Sequence, residues 1–389
     1  MIRIFNKIRQ NGFNWFLSRL RREFRSPTRP FAKHAIDAFL KSKRNLRRFF
    51  ITPDESRQVF AIYDLAICPI TYNFVEFLID AEYEARKGNK DGFIVVFVPP
   101  EEISDPSLRW AEYDAVIDST SKQWRFQNIL IPLTFLSAHC KGFRLLENRA
   151  AVKPLIQSHD VYPHLYDGVN LRTIDMVDFM RKISSPDMFD GLSAHPQGLK
   201  YIESWQQARG LIGKIVTITI RSHGFDTVRN SNIDAWAEFA RYLVSRGYNP
   251  VVIPDTDTAF QFDPRFDEAM FFRECAWNIG LRMALYESAY LNLFVANGCA
   301  VLAFFNHKCR YVCLSGPPRG IVNTEEAYKH MNRGEGTDSP WVGAYQRTSV
   351  KSDSFANIVE EFEQMDRMIQ ADCIPDTDFT SMKMQELRI

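Results

Sequence analysis

Short apolar runs, each stopped by turn residues and followed by a helical stretch, recur along most of this chain and constrain its fold more than any other feature. Residues 59–67 read as a buried strand closed by Cys68-Pro69, residues 73–86 as a helix ended at Gly88-Asn89, and residues 93–98 as a second strand stopped by Pro99-Pro100. Strand, crossover helix and strand form a βαβ unit, the signature of a parallel sheet. Strands at 113–117 and 142–146 around a helix at 126–138 continue the pattern. A less regular stretch follows over 150–205, with one helix expected at 176–183. The alternation then resumes: strand 215–220, helix 232–247, strand 249–253, helix 277–290, strand 291–295, and a closing helix at 354–370. At 389 residues the chain is too long for one ordinary core. The pattern therefore predicts an α/β protein of two Rossmann-like domains, 51–195 and 196–372, with a 1–50 extension and a 373–389 tail.

The extension carries its own signal. The whole chain has a formal net charge of +1, yet residues 1–50 hold 14 Lys and Arg against Glu23 and Asp37, which leaves the remainder acidic. Within residues 1–25, Phe5, Ile8, Phe13, Phe16, Leu20 and Phe24 recur at helical spacing opposite Arg3, Lys7, Arg9, Arg21 and Arg22. A basic amphipathic helix suits an anionic membrane surface, and it equally suits docking on the protein's own body or on a partner. The near-neutral total argues against a nucleic-acid-coating protein. No apolar run is long enough to span a membrane, and no signal-peptide pattern is evident. The seven cysteines are odd in number, form no CxxC pair and fall mostly in apolar runs, as free thiols of a reducing, cytoplasmic compartment do.

The polar loop from Arg221 to Ser231 is the strongest candidate for chemistry. It follows an apolar strand and precedes a helix, and in open α/β sheets ligands bind beyond the carboxyl ends of strands. Arg221 and Arg229 offer forked donors that match phosphate, and Asn230 and Ser231 lead into a helix N-terminus with free N–H groups. The combination suits a diphosphate. His223 is a candidate general base inside that loop. Asp64, at the end of the first strand, is a weaker one. Asp255 and Asp257 follow another strand and could share Mg²⁺ or Mn²⁺. That is the weaker reading, because such a triplet arises easily in a turn, so no cofactor is expected, although Asp255 could still face the cleft. Asn297-Gly298 could let a ligand approach the backbone, or could simply make a turn. Glu287 could bind ribose hydroxyls, although a solvated helix face or an Arg282–Tyr286 contact explains that helix as well. His307, Cys309 and Cys313 lack a fourth zinc ligand. No GxSxG, Walker A, HExxH or GxGxxG pattern occurs, which removes those enzyme classes.

Residues 220–236, continuing to Asp255, run strand, Arg loop, Arg229-Asn230-Ser231, helix start, and a Gly-then-apolar strand ending in Asp. Together with 276–298 they resemble bacterial glycosyltransferases of surface-polysaccharide gene clusters, including a fucosyltransferase-like Arg loop. The resemblance covers mainly 215–315. It implies a GT-B-like fold of two Rossmann-like domains facing a cleft, with a nucleotide-sugar donor on the second. It implies a metal-independent hexosyltransferase acting on a glycan or lipid-linked acceptor, with Arg221 neutralising the leaving diphosphate. Ser222 stands where the fucosyltransferase pattern has a second Arg, which does not favour GDP-fucose. In this setting the basic extension would hold the enzyme peripherally at the inner leaflet. The reading from another class is a non-catalytic scaffold that docks through residues 1–50.

Overall fold

A computed structural model describes residues 57–100, 117–168, 179, 182–317 and 338–372. The basic extension 1–50, the strand expected at 113–117 apart from Ile117, most of the helix expected at 176–183, and the tail lie outside the described residues. The described chain divides into two compact units: 57–69, 80–100 and 139–168 in one, and 70–79, 117–138 and 182–372 in the other. This interleaved division differs from the linear one expected from the sequence. Residues 117–138 belong with the second unit because the turn Ile131–Thr134 packs on the helix Ile279–Ser288, and Ser137 bridges to Leu192.

The first unit is built on a parallel four-stranded sheet in the order β3-β2-β1-β4. Its strands are β1 Gln58–Asp64, β2 Gly92–Val98, β3 Cys140–Leu145 and β4 Val161–Tyr162. β1 pairs with β2 along its whole length, Gln58 with Gly92 through Asp64 with Val98. Phe60, Ile62, Val96, Val98, Val152, Leu155 and Val161 form one core on this sheet. Gly92 is obligatory at the start of β2: its φ is +155°, and a Cβ would sit 2.2 Å from the carbonyl oxygen of His139.

The second unit holds a parallel six-stranded sheet ordered β10-β9-β8-β5-β6-β7. The strands are β5 Ile215–Thr219, β6 Asn249–Ile253, β7 Met270–Phe271, β8 Leu291–Val295, β9 Tyr311–Leu314 and β10 Gln346–Ser349. β5, β8 and β9 are buried at every position, as strands covered on both faces must be. One face is covered by α1 Ile233–Ser245 and α2 Phe355–Asp372. Trp236, Phe239 and Leu243 of α1 meet Ile358, Phe362, Met365 and Ile369 of α2, whose spacing of four, three and four keeps them on one stripe. The chain builds outward from β5 through β6 to β7, then returns to the other side of β5 for β8, β9 and β10. The order therefore reverses between β5 and β8. That reversal opens a crevice at the carboxyl ends of these two strands, where ligands of open α/β sheets bind.

Candidate functional site at the β5–β8 switch point

The two loops at this crevice are Arg221 to Ser231, after β5, and Ala296-Asn297-Gly298, after β8. Both were singled out in the sequence, and the fold brings them together: the Arg229 guanidinium donates to the carbonyl of Ala296 at 3.0 Å. The loop after β6 joins them through Asp255, which accepts the Ser222 N–H at 2.9 Å and its neighbour Thr256 N–H at 2.7 Å. Both Asp255 oxygens thus hold backbone, while the Asp257 carboxylate, 65% exposed, stands 3.9 Å from His223 Nε2.

Arg221 is buried, and its guanidinium is turned into its own loop. It donates to Phe225 O at 2.5 Å, to Asp226 O at 3.0 Å and to the Asn230 side chain. Asn230 accepts the His223 N–H as well and donates back to His223 O. Ser231 and Arg221 close the loop with reciprocal bonds, Arg221 N–H to Ser231 Oγ and Ser231 N–H to Arg221 O. Asp226 sits at φ 55°, a left-handed conformation that these contacts hold in place. Arg221, Asn230 and Ser231 therefore form the clasp that gives the loop its shape. The helix start is also occupied. Asn232 caps α1, and the Asp353 carboxylate takes the Asn232 N–H at 2.7 Å and the Trp236 indole N–H at 3.0 Å. Two of the N–H groups expected to be free there, those of Asn232 and Ala235, are already engaged.

Positive charge is nevertheless concentrated in the crevice. Burial, reinforced by Arg229, pulls the Arg221 pKa down to about 10. Arg229 meets Asp226 only at 3.5 Å. Arg282 is buried, and it donates to the carbonyl of Cys275 and to the Cys299 thiol and hydrogen-bonds the Tyr286 phenol. The helix-face reading of this residue is overturned, and the Arg282–Tyr286 contact is present. Arg125, from the helix Ser119–Arg125, reaches His223, with its terminal nitrogen 3.1 Å from Nε2. The Tyr72 phenol, pushed up by burial, lies in the field of Arg282, Cys299, Arg125 and Asp255. Its ring also covers Gly298, where a Cβ would come within 3.0 Å of it.

His223 shows what the crevice lacks. Its Nδ1 accepts the Phe225 N–H at 2.9 Å, while Arg125 aims a second N–H at Nε2. A neutral imidazole has one bare nitrogen, so it can satisfy only one of these donors, and a protonated one satisfies neither. Burial first, and Arg125 among the charges, hold its pKa below the ordinary value. The exposed Asp257 carboxylate stands 3.9 Å from Nε2, beyond hydrogen-bond reach, and a closer anionic oxygen would accept from both Arg125 and a protonated Nε2.

Three expected site residues lie elsewhere or do other work. Asp64 belongs to the first unit, where Arg149 donates to both its oxygens at 2.6–2.9 Å, Tyr166 donates at 2.7 Å and the Ala66 N–H at 3.0 Å. A carboxylate so occupied is a structural ion pair rather than a base. Glu287 ends its helix next to the amino end of β8, at the sheet edge opposite the Arg loop. There it accepts the Ala194 N–H at 2.6 Å and the Asn306 amide at 2.7 Å. Asn297 caps the turn Gly298–Ala300 with its side chain on the Ala300 N–H. Tyr72 and Arg125 escaped the sequence reading, and nothing in their local pattern marks them: each lies in an ordinary amphipathic stretch about a hundred or more residues before the loop it meets.

A two-unit α/β chain with a cationic crevice at the switch point of its second sheet is the class that fold and site define. No family model and no curated protein matches the chain. Among solved structures it is similar to a glycosyl transferase family 9 protein from Veillonella parvula, with 10% identity over 81% of this chain and 98% of that one and a TM-score of 0.49. It is also similar to the E. coli ADP-heptose lipopolysaccharide heptosyltransferase II, with 11% identity, coverage of 81% and 99%, and a TM-score of 0.48. The wall teichoic acid polymerase TagF aligns at 8% identity over 87% and 88%, with a TM-score of 0.30.

Proposed function

We propose that the protein is a glycosyltransferase that holds the diphosphate of a nucleotide-sugar in the β5–β8 crevice and passes the sugar to a cell-surface glycan or lipid-linked acceptor. The observation that carries this reading is the charge arrangement. Arg125, Arg221, Arg229 and Arg282 gather at the carboxyl edge of one sheet. Of the nearby carboxylates, Asp255 and Asp353 are spent on backbone N–H groups, Asp226 pairs with Arg229 at 3.5 Å, and Asp257 is largely exposed, 3.9 Å from His223. Arg221 and Arg282 are buried and Arg125 and Arg229 half-buried, and cations drawn together in this way favour a ligand that brings negative charge.

In this proposal Arg125 and the His223 Nε2–H contact phosphate oxygens, and Arg229 holds the β5 and β8 loops as one wall. Arg221 shapes the loop and adds its charge from behind. As the glycosidic bond breaks, charge grows on the leaving diphosphate. Donors already fixed in place stabilise that charge without reorganising, and the neutralisation falls to guanidinium groups rather than to a divalent cation at Asp255 and Asp257. Among the described residues no helix is long and apolar enough to cross a membrane. Contact with an inner-leaflet acceptor is assigned in this proposal to residues 1–50.

Calorimetric titration of the full chain with GDP, UDP, ADP and CMP tests the reading. One nucleotide is expected to bind, and Arg125→Ala to weaken it by about tenfold or more, the worth of a charge-assisted hydrogen bond. Absence of binding by every nucleotide, or equal binding by the variant, refutes it and leaves the scaffold reading.

A further inference from the structure

The second sheet has a cavity at its other end. Its volume is about 370 Å³, and Lys214, Ile215, Glu287, Tyr290, Lys308 and Arg310 are among its lining residues. These residues precede β5, β8 and β9, so the cavity lies at the amino edge, opposite the crevice described above. Nothing in the proposed transfer reaction uses it.

Its charge is unbalanced. The Lys214 ammonium lies 4.3 Å from the centre of the Tyr290 ring, and the Arg310 guanidinium lies 6.0 Å from the same ring and 5.5 Å from that of Tyr345. Among the described residues neither cation has a carboxylate partner within ion-pair distance. Asp366, the acid on the far side of Tyr290, spends its oxygens on the hydroxyls of Tyr290 and Tyr248 and on the Gln370 amide, and it meets Lys214 only through its longer-range field. The third cation, Lys308, stands 3.7 Å from Glu287 Oε2.

Two helices end at this edge, and their negative dipole ends favour cations nearby. Two carbonyls in their last turns already have donors of their own, however. Leu285 O already accepts the Ala289 N–H and the Ser288 hydroxyl, and Gln206 O accepts the Arg209 and Leu211 N–H groups. The helix ends explain why the cations are tolerated and leave their hydrogen bonds unmade.

We propose that this cavity is a second ligand site, and that it takes a phosphomonoester of a small polyol. Lys214, Arg310 and Lys308 supply donors for the phosphate oxygens. Glu287, whose Oε1 is held by the Ala194 N–H and by Asn306, keeps Oε2 as an acceptor for a ligand hydroxyl beside the phosphate. The volume lies in the lower part of the range for small-molecule sites, enough for a phosphate with a few carbons and too little for a nucleotide-sugar.

The test is calorimetry on the full chain with glycerol 3-phosphate, with glycerol as the neutral control, and co-sedimentation with phosphatidylcholine vesicles with and without phosphatidic acid. Glycerol 3-phosphate is expected to bind and glycerol not to. Lys214→Gln and Arg310→Gln should each weaken binding by about tenfold or more, with urea midpoints and carboxyl-edge nucleotide binding unchanged. Preference for the phosphatidic acid vesicles, lost in the same variants, supports the site and shows that its phosphate is carried by a lipid. If neither phosphate probe binds, or if both variants bind as the parent does, the proposal is overturned. The reading of the β5–β8 crevice is untouched by either result.

Discussion

Replacing Arg221 with alanine separates two roles that the sequence cannot tell apart. The guanidinium is a clasp: it donates to the carbonyls of Phe225 and Asp226 and to the Asn230 side chain. In Arg221→Ala the Phe225 carbonyl loses this donor inside a buried loop, at a cost of about 1–3 kcal/mol, while Asp226 O keeps the Arg229 N–H at 3.2 Å. Part of that is returned, because a desolvated cation next to Arg229 is removed. The net expectation is a loss of about 1–2 kcal/mol. Arg221→Lys should recover less than half of this, since an ammonium cannot fork across two carbonyls. Urea unfolding followed by tryptophan fluorescence reads it, because Trp205, Trp236 and Trp277 all lie in the second unit. With a slope of about 2–3 kcal/mol/M, the midpoint should fall by roughly 0.3–1 M. Amide exchange should rise at Ser231, whose N–H is held by the Arg221 carbonyl. An alanine variant that unfolds at the parental midpoint, exchanges Ser231 as slowly, and yet loses nucleotide binding would refute the clasp and make Arg221 a direct phosphate ligand.

The neighbouring residues give different signatures. Arg125→Ala removes a half-buried side chain whose described partner is an imidazole, so stability should change by less than about 0.5 kcal/mol while nucleotide affinity falls. His223 has its pKa held below its ordinary 6.5 in the folded chain, so below pH 6.5 the unfolded state binds the extra proton first. Stability is therefore lost as pH falls from 6.5 toward the folded pKa. In His223→Gln, urea midpoints measured across that window should fall less steeply; identical slopes would contradict the assignment. Asp64→Asn removes the buried negative charge that accepts from both Arg149, 17% exposed, and the Tyr166 hydroxyl. About 3–5 kcal/mol should be lost from the first unit, seen in thermal unfolding as an earlier transition that leaves nucleotide binding by the second unit intact.

The positions of the loops were legible in the sequence, and the work of their side chains was not. Mostly apolar runs such as 215–220 and 291–295, broken only by Thr217, Thr219 and Asn292, announce strands buried on both faces, and the polar residues after them must then lie at a carboxyl edge. The direction of Arg221 depends on a loop whose turn at Asp226 is left-handed, and a tertiary clasp rather than a local propensity holds that turn. The interleaving of the units was hidden for a related reason. Tyr72 and Arg125 reach the site only because 70–79 and 117–138 join the second unit, and their apolar stripes look the same whichever core they fill. One helix shows how little separates the two edges of the sheet in sequence. Arg282 and Glu287 are five residues apart, about 7.5 Å along a helix axis. That rise carries Arg282 to Cys299 behind the carboxyl-edge crevice and leaves Glu287 beside Lys308 in the amino-edge cavity. Grouped by sequence, the pair looks like one site. Separated by helical rise, it falls on two edges, so a charge change at Glu287 acts on the amino-edge cavity and one at Arg282 on the carboxyl-edge crevice.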